Sequence, residues 1–157
     1  MNIVLLEPEI PHNTGAIGRT CSVTGSRLHL IRPLGFSTNE KYLRRSGLDY
    51  WRELDITYHD SYADFMEYKN GGHGEAALYA CTTKASVCYT FPSYKPGDFI
   101  MFGKESAGIP ESILRENQCV RVPMIESARS LNLSVSAGIV LYEALRQNGF
   151  RDLKIER

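Results

Sequence analysis

The sequence predicts an α/β fold of one domain over residues 1–157, with a mostly parallel sheet and helices on both of its faces. Two observations predict it. Short apolar runs alternate along the chain with segments that carry helix-capping residues or helical spacing. At the start of the chain, strand, short helix and strand follow one another, which is the outline of a βαβ unit, and such units build parallel sheets.

Six short runs are predicted as strands. Most are rich in Val, Ile, Leu, Phe or Tyr and are bounded by Pro, Gly or charged residues. A run that is apolar throughout is typical of a strand that is covered on both faces of its sheet. The predicted strands are Asn2–Leu6, Arg27–Ile31, Asp55–Tyr58, Ala76–Thr82, Asp98–Phe102 and Cys119–Val122.

Helices are predicted between the strands from capping and turn residues. Asn13 or Thr14 caps the first helix, and Gly25 ends it. Ser61 and Asp64 have a spacing that resembles a capping box and open another helix. The predicted helices run to about Thr24, over Thr38–Asp49, from Ser61 to about Lys69, and over Glu111–Glu116 with Pro110 in the first position.

The stretch Ser127–Glu143 predicts a helix that is apolar nearly all round. One face carries Leu133, Ala137, Val140, Ala144 and Leu145, and another carries Val135, Ile139 and Tyr142. A helix without a polar face is covered on all sides, either by its own domain or by a partner. Small polar residues at its start fit a capped buried helix, and they also fit a binding loop that the helix anchors.

Three loops follow predicted strands at their carboxyl ends. They are Thr82–Lys84, Gly103–Gly108 and Pro123–Asn132. Ligands of open α/β sheets bind at this edge. We therefore expect the three loops to lie side by side around a ligand site.

The composition describes a protein without a strong electrostatic field. Its 18 basic and 18 acidic side chains cancel, so any nucleic-acid contact must come from local patches or from a dimer that pools them. The four cysteines form no C-x-x-C pair and no cluster with zinc spacing, which predicts no metal site and a reducing, cytoplasmic location. No apolar stretch is long enough to span a bilayer, so no membrane partner is expected.

The glycine-bounded loop Gly103–Gly108 does not match the common nucleotide-binding fingerprints. Ile-Pro follows Gly108 where a phosphate loop has Lys-Ser or Lys-Thr. No G-x-G-x-x-G follows the first strand, which argues against a nicotinamide or flavin site. The four histidines show no pairing with a Ser or Cys nucleophile, so a hydrolase triad is a weak hypothesis.

Single residues in these stretches have two interpretations each. Gly103 and Gly108 are turn glycines or part of a ligand loop. Glu105 is a solvated loop acid or a carboxylate that holds a polar or cationic ligand. Asn13 is a helix cap or a site residue, and Arg19 is a surface ion-pair partner or a site residue.

Three segments together resemble the motifs of the SPOUT methyltransferases. They are Asn13-x-Gly-x-x-x-Arg19, Phe102-Gly-x-Glu-x-x-Gly-Ile-Pro110, and Ser130-Leu-Asn-Leu-Ser134 running to Tyr142-Glu143. They occur in order across nearly the whole chain, with no separate RNA-binding domain. The runs Glu7–Gly15 and Leu43–Tyr50 are similar to the minimal TrmL (YibK-like) branch of that family.

The resemblance implies a fold, a reaction and partners. It implies a C-terminal trefoil knot, which is very rare among folds, and a homodimer joined through the first and last helices. It implies methyl transfer from S-adenosylmethionine, leaving S-adenosylhomocysteine, to a ribose 2′-hydroxyl. That branch modifies the tRNA wobble nucleotide, here a cytidine or 5-carboxymethylaminomethyluridine of tRNA(Leu) isoacceptors.

The resemblance also implies site residues. The implied catalytic group is Arg19, Asn13, Glu105, Ser130 and Asn132. Arginine stays protonated, so Arg19 is expected to clamp a phosphate and stabilise the developing alkoxide, while the others orient it. The implied donor-binding residues are Cys81, Thr82, Gly103, Glu105, Gly108, Val122, Met124, Ser130 and Leu131. Cys81 is expected to form an apolar wall and not to act as a nucleophile.

RNA contacts are expected from five basic residues and one tyrosine, with the two protomers of the dimer contributing together. The candidates are Lys41, Arg44, Arg45, Arg52, Lys84 and Tyr142. The alternative for each basic residue is ordinary solvated charge. Three other functions stay open: methylation of another tRNA or ribosomal RNA nucleotide, RNA binding without catalysis, and a small-molecule α/β enzyme, against which the missing fingerprints argue.

Overall fold

The computed structural model describes residues 1–38, 51 and 54–156. The described strands are β1 (Asn2–Leu6), β2 (Arg27–Ile31), β3 (Ile56–His59), β4 (Leu78–Cys81), β5 (Phe99–Phe102) and β6 (Gln118–Val120). The described helices are α1 (Pro11–Thr24), α2 (Tyr62–Gly72), α3 (Glu111–Glu116) and α4 (Leu133–Gln147). Every predicted strand is present, with ends that differ by no more than two residues.

All six strands form one parallel sheet. Their order is β3-β2-β1-β5-β4-β6, and each neighbouring pair runs parallel. The carboxyl ends of the strands therefore share one edge, and β5 lies directly beside β1. The predicted parallel sheet is confirmed.

The side chains of each strand alternate between two apolar cores. In β1, Ile3 and Leu5 point to the core formed with α1 and α4, whereas Val4 and Leu6 point to the core formed with α2 and α3. All four are nearly inaccessible to solvent. Burial on both faces explains why these four consecutive residues of β1 are all apolar. The prediction of helices on both faces of the sheet is confirmed.

The start of α1 differs from the prediction. The helix begins at Pro11, with Ile10 before it and no side-chain cap. Proline suits the first helical position because its missing N–H would have no partner there. Asn13 and Thr14 lie inside the helix, so the prediction that one of them caps it is wrong. Gly25 does end the helix, in the left-handed conformation at φ 64°.

The caps of the next two helices follow the prediction in part. Ser61 caps α2 by accepting a hydrogen bond from the Asp64 amide at 3.1 Å. In a capping box the Asp64 carboxylate would accept a hydrogen bond from the Ser61 amide. Here it accepts from the amide of the preceding residue, Asp60. Pro110 immediately precedes α3 and does not occupy its first position.

Helix α4 is only half covered within one chain. The predicted face that contains Ala137 and Val140 is buried, but Val135 is 47% and Tyr142 46% exposed. The alternative that its own domain covers the whole helix is therefore wrong. The predicted helix Thr38–Asp49 lies, beyond Thr38, outside the described residues. None of the described helices is both long and apolar enough to cross a membrane.

A polar pair lies inside the core near α2. His29 is 0% exposed, and its Nδ1 lies 3.1 Å from His59 Nε2, while its Nε2 lies 3.3 Å from the Asn2 side-chain oxygen. Phe65 and Phe99 contact the His29 ring. Burial lowers the pKa of His29 to about 3, so the ring is neutral near pH 7.

The His29 pKa predicts a specific acid sensitivity. Because the folded pKa lies below the unfolded value of about 6.5, the unfolded chain takes up a proton first, and stability is lost as pH falls from about 6.5 toward 3. We expect His29→Gln to reduce the slope of unfolding free energy against pH by about 1.4 kcal/mol per unit in this window. Urea titrations between pH 7 and 4.5 measure it. The exposed His12, changed to Gln, is the control, and equal slopes in all three proteins would contradict the prediction.

Candidate active site

A cavity of about 540 Å³ opens at the carboxyl ends of β4 and β5. Residues from all three of the predicted strand-end loops line it, together with the start of α1 and the start of α4. The expectation that these loops lie side by side is confirmed. A volume of this size lies within the usual range of about 300–1,000 Å³ for small-molecule sites.

The implied donor-binding residues all reach this cavity. They are Cys81, Thr82, Gly103, Glu105, Gly108, Val122, Met124, Ser130 and Leu131. Burial raises the pKa of the Cys81 thiol to about 12, so the thiol stays neutral near pH 7. A neutral thiol is a poor nucleophile, which agrees with the expected role of Cys81 as a wall.

The loop after β5 is a tight turn that requires its glycines. The Gly108 amide donates to the Lys104 carbonyl at 2.8 Å, and Gly108 has φ +71°. A Cβ on Gly103 would lie 2.1 Å from the Gly108 carbonyl carbon. The interpretation as turn glycines is confirmed, and the same turn forms one wall of the cavity.

Glu105 is bound by the chain and is not a solvated loop acid. Its carboxylate accepts hydrogen bonds from the Glu9 amide at 2.8 Å, the Ile10 amide at 3.3 Å and the Asn13 side-chain amide at 3.0 Å. Two of these donors are backbone groups at the entrance to α1. Glu105 thus ties the loop after β5 to the start of the first helix, and a carboxylate near a helix N-terminus is favoured there.

Asn13 continues this connection to the last helix. The Asn132 side-chain amide donates to the Asn13 side-chain oxygen at 3.0 Å. The Asn132 oxygen in turn accepts from the Ser134 amide at 2.9 Å and the Val135 amide at 3.3 Å, which caps α4. Asn13 is therefore a bridge between Glu105 and Asn132, and one residue from each of the three motifs takes part.

Arg19 is separate from the rest of the implied catalytic group. Asn13, Glu105, Ser130 and Asn132 line the cavity, whereas Arg19 is exposed on α1 and does not line it. Six residues of helix advance about 9 Å along the axis, which carries Arg19 away from Asn13. Asn13 therefore borders the cavity of its own chain, whereas Arg19 does not.

The expected RNA contacts divide into two groups. Lys41, Arg44, Arg45 and Arg52 lie outside the described residues. Lys84 lines the cavity and forms an ion pair with Glu111 of α3. Tyr142 lies on the exposed face of α4.

Within the described part of the chain, no cluster of His, Cys, Asp or Glu has the geometry of a metal site.

Ten further residues line the cavity that were not predicted as donor-binding or catalytic residues. They are Ile10, Thr83, Lys84, Phe102, Lys104, Ser106, Ala107, Ile109, Leu133 and Ser136. Most are neighbours of motif residues, so membership of the same loops was the available signal. No local signal predicts the partner of Ser106, because Glu9 lies 97 positions earlier in the chain.

A family model described as the SpoU rRNA Methylase family matches residues 1–142. The chain belongs to this family. The prediction of a methyltransferase of this type, made from three spaced motifs, is confirmed by the match, which contains the first two motifs and the third through Tyr142.

Named relatives and solved structures are similar to nearly the whole chain. A relative from Escherichia coli (strain K12), named tRNA (cytidine(34)-2′-O)-methyltransferase, is 47% identical over 96% of this chain and 95% of its own length. A structure described as "Structural insights into the 2-OH methylation of C/U34 on tRNA" has a TM-score of 0.87 and 41% identity, covering 96% of this chain and 97% of that one. An AdoMet-bound rRNA methyltransferase from Sinorhizobium meliloti has a TM-score of 0.80 and 26% identity, covering 92% of this chain and 55% of that one.

The crowding at Gly103 predicts a large effect of one methyl group. We expect Gly103→Ala to lower the free energy of unfolding by about 1–3 kcal/mol, because the added Cβ must displace backbone of the same loop. Gly71→Ala is the matched control, since a Cβ there meets nothing within 4 Å and should raise stability by about 0.5–1 kcal/mol. Denaturant titration measures both, and a Gly103→Ala protein as stable as the control would refute the prediction.

Proposed function

We propose that this SpoU-family chain transfers a methyl group from S-adenosylmethionine to the ribose 2′-hydroxyl of the wobble nucleotide of tRNA(Leu), a cytidine or 5-carboxymethylaminomethyluridine. The observation that carries the proposal is the hydrogen-bonded chain Glu105–Asn13–Asn132, which joins three motifs around one cavity. The name of the 47% identical relative supports the wobble cytidine of a tRNA as the target. The cavity at the carboxyl edge of the strands supports this location for the chemistry.

The residues of the cavity fit S-adenosylmethionine. The cavity has the volume of a small-molecule site, and the absence of a side chain on Gly103 lets the Gly108 backbone close the turn that forms one of its walls. A neutral Cys81 and apolar side chains form part of the wall, so a methyl group meets no competing nucleophile there. When bound, S-adenosylmethionine supplies an electrophilic methyl group on a sulfonium.

The chain itself supplies alignment and charge. Ser130, Asn132 and Glu105 border the cavity and hold its loops in register, and alignment of reacting groups can lower a barrier by about 7–11 kcal/mol. Arg19 stabilises negative charge on the ribose oxygen and binds a neighbouring phosphate. Phosphate or water takes the proton, because arginine cannot act as a simple base.

A homodimer joined through α1 and α4 belongs to the same proposal. It would cover Val135 and Tyr142 on α4 and Val23 on α1, which is 61% exposed. It would also bring Arg19, which does not line the cavity of its own chain, to the interface between two protomers. RNA contacts from Lys84 and Tyr142, and from Lys41, Arg44, Arg45 and Arg52, would then be pooled across both. The C-terminal trefoil knot stays a prediction from the family resemblance.

Methylation of tRNA tests the proposed reaction. With labelled S-adenosylmethionine and unmodified bulk tRNA, digestion and mapping should place the label on the 2′-oxygen of the wobble nucleotide of tRNA(Leu). Arg19→Ala should reduce transfer at least about 100-fold while the affinity for S-adenosylhomocysteine changes less than about twofold. Arg115→Ala, an exposed arginine on α3, is the control.

The outcomes separate the alternatives. Label at another tRNA or ribosomal RNA position would reject the wobble assignment, and cofactor binding without transfer to any RNA would reject methyl transfer. Loss of both transfer and cofactor affinity in Arg19→Ala would reject the role given to Arg19.

The exposed face of α4 tests the dimer. We expect the wild-type chain to sediment with twice its own mass, because two copies bury Val135 and its neighbours. Val135→Lys should shift the equilibrium to monomer by placing a charge in that interface, while Val87→Lys, on a loop and 40% exposed, should not. A monomeric wild type, or the same mass for both variants, would contradict the arrangement. Circular dichroism confirms that each variant is folded.

A further inference from the structure

Three consecutive residues of the loop after β5 are held by the segment after β1. Lys104 forms an ion pair with Glu7 at 2.8 Å, Glu105 accepts from the amides of Glu9 and Ile10, and Ser106 binds the Glu9 carboxylate. The two segments lie side by side because β5 pairs with β1. The shape of this cavity wall therefore depends on contacts with residues 7–10.

Ser106 has a single partner for both of its donors. Its amide donates to one oxygen of the Glu9 carboxylate and its hydroxyl donates to the other, each at 2.8 Å. Of the residues that the structure describes, Glu9 alone forms hydrogen bonds with Ser106. Ser106 lies midway through the turn between Gly103 and Gly108, so the outer part of the turn is fixed by this one carboxylate. The two bonds also lower the pKa of the Glu9 carboxyl, which keeps it ionised.

The backbone of Glu9 is held independently of its side chain. The Glu9 amide donates to Glu105 at 2.8 Å. On the other side, the Gly35 amide donates to the Pro8 carbonyl at 2.9 Å, and a Cβ on Gly35 would lie 2.7 Å from the Glu9 Cα. Segment 7–10 is packed between two loops, so removing the Glu9 carboxylate leaves its backbone in place and releases only Ser106.

We propose that Glu9 is a positioning residue of the donor site, whose carboxylate holds Ser106 and keeps the 103–108 loop in the shape that binds the methyl donor. The inference rests on the proposed function, because it takes the donor to occupy the cavity that this loop lines. Glu9 itself does not line that cavity and acts through Ser106. Its effect belongs to donor affinity and not to the transfer step.

Two substitutions of Glu9 can separate the effect of its hydrogen bonds to Ser106 from the effect of its negative charge. A glutamine at position 9 can accept from the Ser106 amide through its oxygen and donate to the Ser106 hydroxyl through its nitrogen, so it keeps both contacts without the charge. An alanine at position 9 keeps neither. If Glu9 acts by fixing the loop, Glu9→Gln should retain most of the affinity that Glu9→Ala loses.

Calorimetry with S-adenosylhomocysteine tests the inference on the full chain. We expect Glu9→Ala to weaken binding about tenfold, which corresponds to the net loss of hydrogen bonds to a charged acceptor. Glu9→Gln should lie within about threefold of wild type, and Ser106→Ala should fall between, since the backbone amide bond remains. Glu67→Gln, on an exposed position of α2, is the control for an acid-to-amide change elsewhere.

Steady-state kinetics with tRNA provide a second measurement. Glu9→Ala should raise the KM for S-adenosylmethionine about tenfold with kcat within about twofold, because the loop is restored once donor is bound. In the double variant Glu9→Ala with Ser106→Ala, the second change should add less than it does alone, since the pair acts as one unit.

The outcomes distinguish this inference from the proposed function. If wild type binds no S-adenosylhomocysteine, the proposed function fails. If wild type binds it and Glu9→Ala binds equally well, the positioning role fails while the proposed function stands. Thermal unfolding of each variant is measured beside binding, and an affinity loss confined to a variant that is already partly unfolded at the assay temperature would also reject the role.

Discussion

The candidate site depends on one buried amide, the side chain of Asn13. It donates to Glu105 and accepts from Asn132, so it joins residues that lie 92 and 119 positions away in the sequence. Only 9% of Asn13 is exposed. A single hydrogen bond adds about 1 kcal/mol net, but loss of a buried partner costs about 1–3 kcal/mol because the remaining group stays desolvated. The two bonds therefore fix the first helix, the loop after β5 and the start of α4 relative to one another.

This connection is possible because of the strand order. In a parallel sheet all carboxyl ends share an edge, and the pairing of β5 with β1 brings the segment that follows each strand into contact. The contacts of Glu7 with Lys104 and of Glu9 with Ser106 follow from that adjacency. The cavity is thus shaped by topology first and by side-chain hydrogen bonds second.

The strands and apolar helix faces could be predicted from the sequence because they depend on the local pattern of residues. Residues 3–6 of β1 are all apolar because both faces of the strand are buried, and this is visible in the sequence itself. Of the two interpretations of Asn13, the helix cap is wrong, because capping is judged from neighbouring residues, whereas the hydrogen-bond partners of Asn13 are distant in sequence. The exposure of Val135 and the position of Arg19 outside the cavity could not be predicted either. Periodicity gives the apolar faces of a helix but not which face its own chain covers.

Groups of both charge signs border the cavity, and their arrangement constrains the ligand. The N-terminus of α4 carries the partial positive charge of a helix, which favours an anionic group nearby. The Asn132 side-chain oxygen accepts hydrogen bonds from the Ser134 and Val135 amides, which weakens the attraction of this helix terminus for an anion but does not remove it. Glu105, which is joined to Asn132 through Asn13, adds a carboxylate to the lining, and the three groups that donate to this carboxylate are neutral. A ligand that carries a carboxylate and a cationic sulfur at separate atoms matches this polarity. A purely anionic nucleotide would lie against Glu105 without a compensating cation, since Lys104 and Lys84 are already paired with Glu7 and Glu111.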